Sequence, residues 1–422
     1  MLRALRRAAT ARPRTALFAA LTYVNVATFI FHVVVSRELG PSRYGALGSI
    51  LVLTVLVANG TGALTAAVTR TVAIAGPGRE FAIDRLMRRA WIAAAATLAV
   101  GVAVSGILEG YLHLGSPVPV MMLAVLTAAT LVELAPRGVL MGQHRYGPVA
   151  VALGLGATVR LVAGATLGAA FGTTGAVAGA AAGECIVALV CGLAAARAAG
   201  PRPARRELRI PTRSVSLATG AYSGLWLLAA ADTFFARHLF AGHASGLYVA
   251  ASTAASIALF LPNNVTLAVF PSLAGDAARG IGRSGDFRRA FALAAGLTVV
   301  SCAALAALPA LAIGVLFGSS YRGAGSLLVL LAFSNGAQGL IGFLQHHQLA
   351  HHRATCLAPW AGLLALTAIA ASASGSPHRL AWEAVGVSAV LLIAMIAASL
   401  RLATRPNEPA VEPDDLAVSL RA

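Results

Sequence analysis

Charged side chains make up only 11% of this 422-residue chain, so the few inside its long apolar runs are the ones able to do chemistry. Ionised groups in hydrocarbon cost several kcal/mol unless a partner or a water-filled path receives them, and they mark transport paths by default. Arg160 lies twelve residues into an apolar segment that starts near Pro148, about 18 Å along a helix. Glu184 lies nine residues into one that starts near Gly175, about 13 Å along. Both fall near the middle of a bilayer. Two chemistries fit the pair. One is an ion pair that pins two consecutive antiparallel helices. The other is a guanidinium that meets an anionic group through two parallel hydrogen bonds, beside a carboxylate that can take up a proton or cation.

Glu133 and Arg137 stand four residues apart with the acid first, the favourable order for an intrahelical pair, and Arg137 is close enough to an interface to snorkel. Asp232 falls late in its apolar segment, five residues before Arg237. Arg37 and Arg237 each end a segment, where an arginine also complements the helix dipole. Asn25, Asn59 and Asn263 add polar groups in other segments, with interhelical hydrogen bonding as the default role. His346, His347, His351 and His352 have no carboxylate or cysteine beside them, so they read as a solvated basic connection and no metal site is expected.

The composition excludes several activities. All 32 basic residues are arginine, and without lysine there is no Walker A loop, Schiff base or Ser-Lys pair. Cys185, Cys191, Cys302 and Cys356 lie in apolar segments without a CxxC spacing and read as small buried residues. No cofactor is expected, and the chain does not read as an enzyme. The net charge of +17 belongs to membrane topology before it belongs to nucleic acid, which is not expected as a partner.

The elements that must position these residues are membrane-spanning helices. Uncharged runs such as 15–36, 44–69, 161–183, 238–275, 290–321 and 354–378 each supply the roughly 20 apolar residues that one crossing needs. Twelve spans are predicted, starting near Thr15, Ala46, Ala90, Val118, Pro148, Gly175, Val215, Gly246, Ala290, Gly323, Ala354 and Leu380. Arginine sorts between alternate connections, 25 on one side and five on the other, which by the positive-inside rule makes both termini cytoplasmic. Every outer connection reads as about ten residues or shorter. The apolar run behind the first arginines has no small-residue cleavage site and reads as a retained first span.

A repeat runs through the sequence. Arg88-Arg89-Ala90-Trp91 and Arg288-Arg289-Ala290-Phe291 open spans three and nine at an offset of 200, and Arg37-Glu38-Leu39 and Arg237-His238-Leu239 end spans one and seven at the same offset. Gly45 pairs with Gly246, and His144-Arg145 with His352-Arg353. Six spans per repeat give both halves the same orientation. The expected fold is an all-α integral membrane protein of about twelve transmembrane helices in two parallel-repeat six-helix bundles. Its expected parts are bundles at 1–197 and 215–401, a cytoplasmic linker at 198–214 and a disordered tail at 402–422. Glycines at 164, 168, 172, 175, 179 and 183 suit either close helix packing or a glycine-lined path.

The stretch Arg37-Glu38-Leu39-Gly40-Pro41-Ser42-Arg43-Tyr44-Gly45-Ala46-Leu47 resembles the loop between the first two spans of bacterial polysaccharide flippases (O-antigen, Wzx-like). These belong to the multidrug/oligosaccharidyl-lipid/polysaccharide exporter superfamily. The stretch from Asp232 through Gly246-Leu247-Tyr248 and Phe260-Leu261-Pro262 to Phe270-Pro271-Ser272-Leu273-Ala274 is similar as well. The resemblance implies two six-helix bundles that rock about a central cavity lined in part by spans one, two and eight. They would carry a lipid-linked (polyprenyl-diphosphate) oligosaccharide across a bacterial plasma membrane for cell-surface polysaccharide biosynthesis. The implied partners are that lipid, the membrane, H+ or Na+ as coupling ion, and the glycosyltransferases or polymerase of the same pathway. Relatives that flip the peptidoglycan lipid precursor resemble fourteen-span proteins with several arginines in the first two spans, features this sequence lacks. A cation-coupled multidrug antiporter of the same superfamily is the alternative. A membrane glycosyltransferase or polysaccharide polymerase is a second, disfavoured by the short outer connections and scarce outer acids.

Overall fold

The computed structural model describes residues 13–75, 81–82, 84–198, 206–207, 212–240, 242–278, 284–351, 353–373 and 375–403. The expected tail at 402–422 lies outside them apart from its first two residues. The fold is all-α apart from a two-residue parallel pairing of Phe81–Ala82 with Arg206–Glu207. Among the described residues nine stretches are long and apolar enough to cross a membrane, and two of these contain a break. The helix Pro13–Ala75 breaks at Gly40, so its arms, 13–39 and 41–75, are spans one and two. The helix Tyr146–Ala198 breaks at Gly172 into spans five and six, 146–171 and 173–198. Spans three and four are Asp84–Tyr111 and Val118–Gly142. Spans seven to nine are Thr212–Leu239, Gly242–Ala278 and Ser284–Ala307. Spans ten to twelve are Gly325–Ala350, Ala358–Ala373 and Pro377–Ala403. The described residues thus hold about twelve helices of a multi-pass membrane protein, of which Thr212–Leu239 alone falls outside those nine stretches.

Two boundaries differ from the sequence reading for local reasons. Span two starts at Pro41, not near Ala46, because proline suits the first helical turn and Ser42 and Arg43 only look like a loop. The run 290–321 is more than a span and a turn. Pro309 opens a separate helix, Pro309–Leu316, followed by a 3₁₀ turn, Ser319–Ala324. The connection between spans nine and ten, expected on the outer side at about ten residues or shorter, therefore covers 308–324.

The repeat is visible in backbone conformation. Gly40 and Gly242, each between the first two spans of its repeat, have φ of 67° and 54°. Gly115 and Gly318, each after the third span, have φ of 73° and 93°. L-residues rarely adopt such values, so glycine is needed at equivalent turns.

Packing groups the chain into two compact units. One contains the described residues of Met1–Ala250 with Ile313–Ala324, and the other those of Ala251–Ala312 with Gly325–Ala422. In the first, Leu140, Val149, Ala152, Val187 and Cys191 form a core shared by spans four, five and six. The glycine stripe packs these helices. A Cβ at Gly183 would sit 2.6 Å from the Gly156 carbonyl oxygen, and one at Gly179 would overlap the Gly164 backbone. In the second unit, spans ten and twelve share buried amides and hydroxyls. Gln338 donates to Ser388 Oγ at 3.2 Å, and Gln348 donates to Ser399 Oγ at 3.0 Å. Large apolar side chains such as Trp91, Phe171 and Val390 face outward, as lipid contact requires.

Candidate functional site

Three of the residues singled out by sequence, Arg137, Arg160 and Glu184, line one place, and a fourth, Glu133, is bonded to Arg137 beside it. A cavity of about 290 Å³ within the first unit is lined by Leu17, Leu21 and Val24 of span one, Arg137 and Met141 of span four, and Val149, Leu153 and Arg160 of span five, with Glu184 and Val187 of span six. The side chains of Arg160 and Glu184 are 23% and 17% exposed and form an ion pair. Arg137 donates to Glu133 Oε1 at 2.5 Å from one turn along its helix. Glu133 is also within electrostatic reach of Glu184 and Arg160, so the two pairs form one charge cluster on walls otherwise made of aliphatic side chains.

Pairing does not saturate this cluster. Arg160 Nη1 has only a 3.4 Å contact with Thr28 Oγ1, and its Nε is buried with no hydrogen-bond partner among the described residues. Glu133 Oε2 is likewise buried and unpartnered. A buried donor left unmade costs about 1–3 kcal/mol, which a ligand oxygen would relieve. The arrangement offers two guanidinium groups to an anion and an apolar wall to a hydrocarbon. Tyr23, whose hydroxyl lies 2.8 Å from Thr158 Oγ1, and His32, half-buried within electrostatic reach of Arg160, extend the polar side of span one. Sequence reasoning missed both. His32 in an uncharged run was the available signal.

The other candidates lie elsewhere. Asp232 is 3% exposed and accepts hydrogen bonds from Tyr248 Oη at 3.1 Å and from the Thr233 amide at 2.6 Å. Arg37 donates to the carbonyls of Val315 and Leu316, the latter at 3.2 Å. Arg237 is 6% exposed and donates to the carbonyls of Leu112 and His113, both at 2.8 Å. Asn25 is exposed and is not among the side chains that line the cavity. Asn59 and Asn263 lie outside the described side chains. Among the described residues no group of three or more His, Cys, Asp or Glu gathers to hold a metal. His346 and His347 lie within span ten, and His347 packs its ring on Phe287 at 4.1 Å.

The loop between spans one and two is built for close packing. Tyr44 is fully buried against Phe317 and Tyr321. A Cβ at Gly45 would come within 2.8 Å of Ser245 Oγ, and one at Gly246 would overlap the Pro41 carbonyl. Spans two and eight thus start in backbone contact, which explains why glycines recur at these equivalent positions.

No protein-family model matches the chain, and no curated protein sequence is similar to it. Solved structures are similar in fold. The lipid II flippase MurJ in an inward closed conformation superposes with a TM-score of 0.71 at 10% identity, over 90% of this chain and 87% of that one. A multidrug resistance MATE family transporter of the MOP superfamily, in an outward-facing conformation, gives 0.54 at 15% identity over 95% and 97%. The eukaryotic MATE transporter AtDTX14 gives 0.58 at 12% over 92% and 99%. The chain therefore has the fold of these transporters. Fold alone does not assign cargo, which must be argued from the site.

Proposed function

We propose that the protein is a flippase that moves a lipid-linked (polyprenyl-diphosphate) oligosaccharide across a bacterial plasma membrane, with both termini in the cytoplasm. The observation that carries this reading is the pairing of Arg137 and Arg160 with aliphatic walls in one cavity. A diphosphate needs fixed cations in a medium where a bare charge is costly, and its lipid needs hydrocarbon. Likeness in fold to a protein described as a lipid II flippase, itself a handler of a lipid-borne cargo, supports the same direction. The two sequence halves, 1–197 and 215–401, would rock to expose the path to each side in turn, with H+ or Na+ as the coupling ion. The glycosyltransferases and polymerase of the pathway would supply and consume the cargo. Glu184 favours one second reading, a cation-coupled multidrug antiporter, because an acid in an apolar cavity also suits a cationic drug.

Reconstituted liposomes separate the two. The flippase reading predicts that a polyprenyl-diphosphate oligosaccharide in the inner leaflet becomes accessible to an added impermeant lectin faster than in empty liposomes, and that Arg160→Ala abolishes the gain. No acceleration, together with ethidium movement driven by a proton or sodium gradient, would establish the antiporter instead.

A further inference from the structure

We propose that Arg37 and Arg237 form one reciprocal latch that holds the arginine-poor ends of the two sequence repeats together and must open for the cargo path to open on that side. Arg37 ends span one and donates from Nε and Nη2 to the carbonyls of Leu316 and Val315. These belong to the last turn of Pro309–Leu316, where carbonyls lack intrahelical partners. Arg237 ends span seven and donates from Nε and Nη2 to the carbonyls of Leu112 and His113, just past the C-terminus of span three. Its Nη1 also reaches Ser245 Oγ at 3.1 Å and the Ser42 carbonyl at 3.4 Å.

The pattern is crosswise. Spans one and seven are equivalent at an offset of 200, and so are spans three and nine. Each guanidinium leaves the first span of one repeat and grips the chain that follows the third span of the other. Each grip is completed by aromatic side chains. Tyr321 donates to the Ser36 carbonyl at 2.7 Å and packs with Tyr44 and Phe317. Tyr111 stacks on His238 with centroids 3.7 Å apart. All these residues belong to one compact unit, although spans seven and 313–324 are second-repeat sequence. If the repeats rock against each other, both forks are lost when this end opens. A lysine would keep the charge but could not span two carbonyls with a planar fork. The inference rests on the alternating-access reading and is independent of the cargo.

Its test uses the full-length protein with its four cysteines replaced and spin labels at Val118→Cys and Gly375→Cys, exposed positions beside outer connections. Distances are read in lipid nanodiscs by electron–electron double resonance, with folding checked by size exclusion. Arg37→Ala and Arg237→Ala should each shift the ratio of long to short distances about tenfold toward long, and together by about a hundredfold, since separate sites add. Arg37→Lys should fall between parent and alanine. Tyr321→Phe, a milder change, should shift it about threefold and carries the test if the arginine variants do not fold. Unchanged distances in folded variants, whatever their thermal stability, would make these arginines struts and overturn the latch. A shifted distribution without oligosaccharide flipping would count against the cargo alone.

Discussion

Neutralising one member of the Arg160–Glu184 pair should separate structure from transport. Removing one partner of a fully buried pair costs about 3–5 kcal/mol, because the other charge is left in low dielectric. Here about a fifth of each side chain stays accessible, 23% for Arg160 and 17% for Glu184. Solvent screening lowers the expected cost to about 2–3 kcal/mol, or roughly a 30- to 150-fold fall in the folded-to-unfolded ratio. Reversible unfolding in mixed micelles should show this for Arg160→Gln and for Glu184→Gln. The double variant places two amides opposite each other, so it should recover most of the loss. Transport should behave differently. If the guanidinium holds the cargo phosphate, the double variant stays inactive in the lectin-accessibility assay while it folds normally, and Arg160→Lys retains part of the activity. An active double variant would show that the pair serves only to join spans five and six, and would remove Arg160 from the mechanism.

Arg137→Ala strands Glu133, which is 3% exposed, so folded yield after detergent extraction should fall more than for Glu133→Gln. Gly246→Ala should prevent folding, because its Cβ meets the Pro41 backbone, whereas Gly106→Ala, with open space around it, should match or slightly exceed the parent in thermal stability. A cysteine at His243 should react with an impermeant maleimide on intact cells and one at Pro203 should not; the opposite pattern would reverse the orientation given by arginine asymmetry.

Sequence alone determined that the chain is built of about twelve apolar helices, because backbone groups in hydrocarbon must bond within their own helix and an apolar run of sufficient length has no other fold, while the boundaries at Pro41 and Pro309 came from the structure. It also determined the repeat, which reappears as paired positive-φ glycines at Gly40 and Gly242 and at Gly115 and Gly318. The Glu133–Arg137 pair was legible because helical spacing fixes i,i+4 neighbours. Depth estimates alone brought Arg160 near Glu184, since antiparallel neighbours at equal depth can meet. Only the tertiary structure placed Arg137, Arg160 and Glu184 on one cavity, because the rotation of spans five and six about their axes is set by glycine contacts such as Gly179 on Gly164. It alone showed that Arg37 and Arg237 bind carbonyls some 279 and 125 residues away in sequence. Such a bond leaves no local pattern, since every residue offers the same carbonyl and only packing decides which one the guanidinium meets.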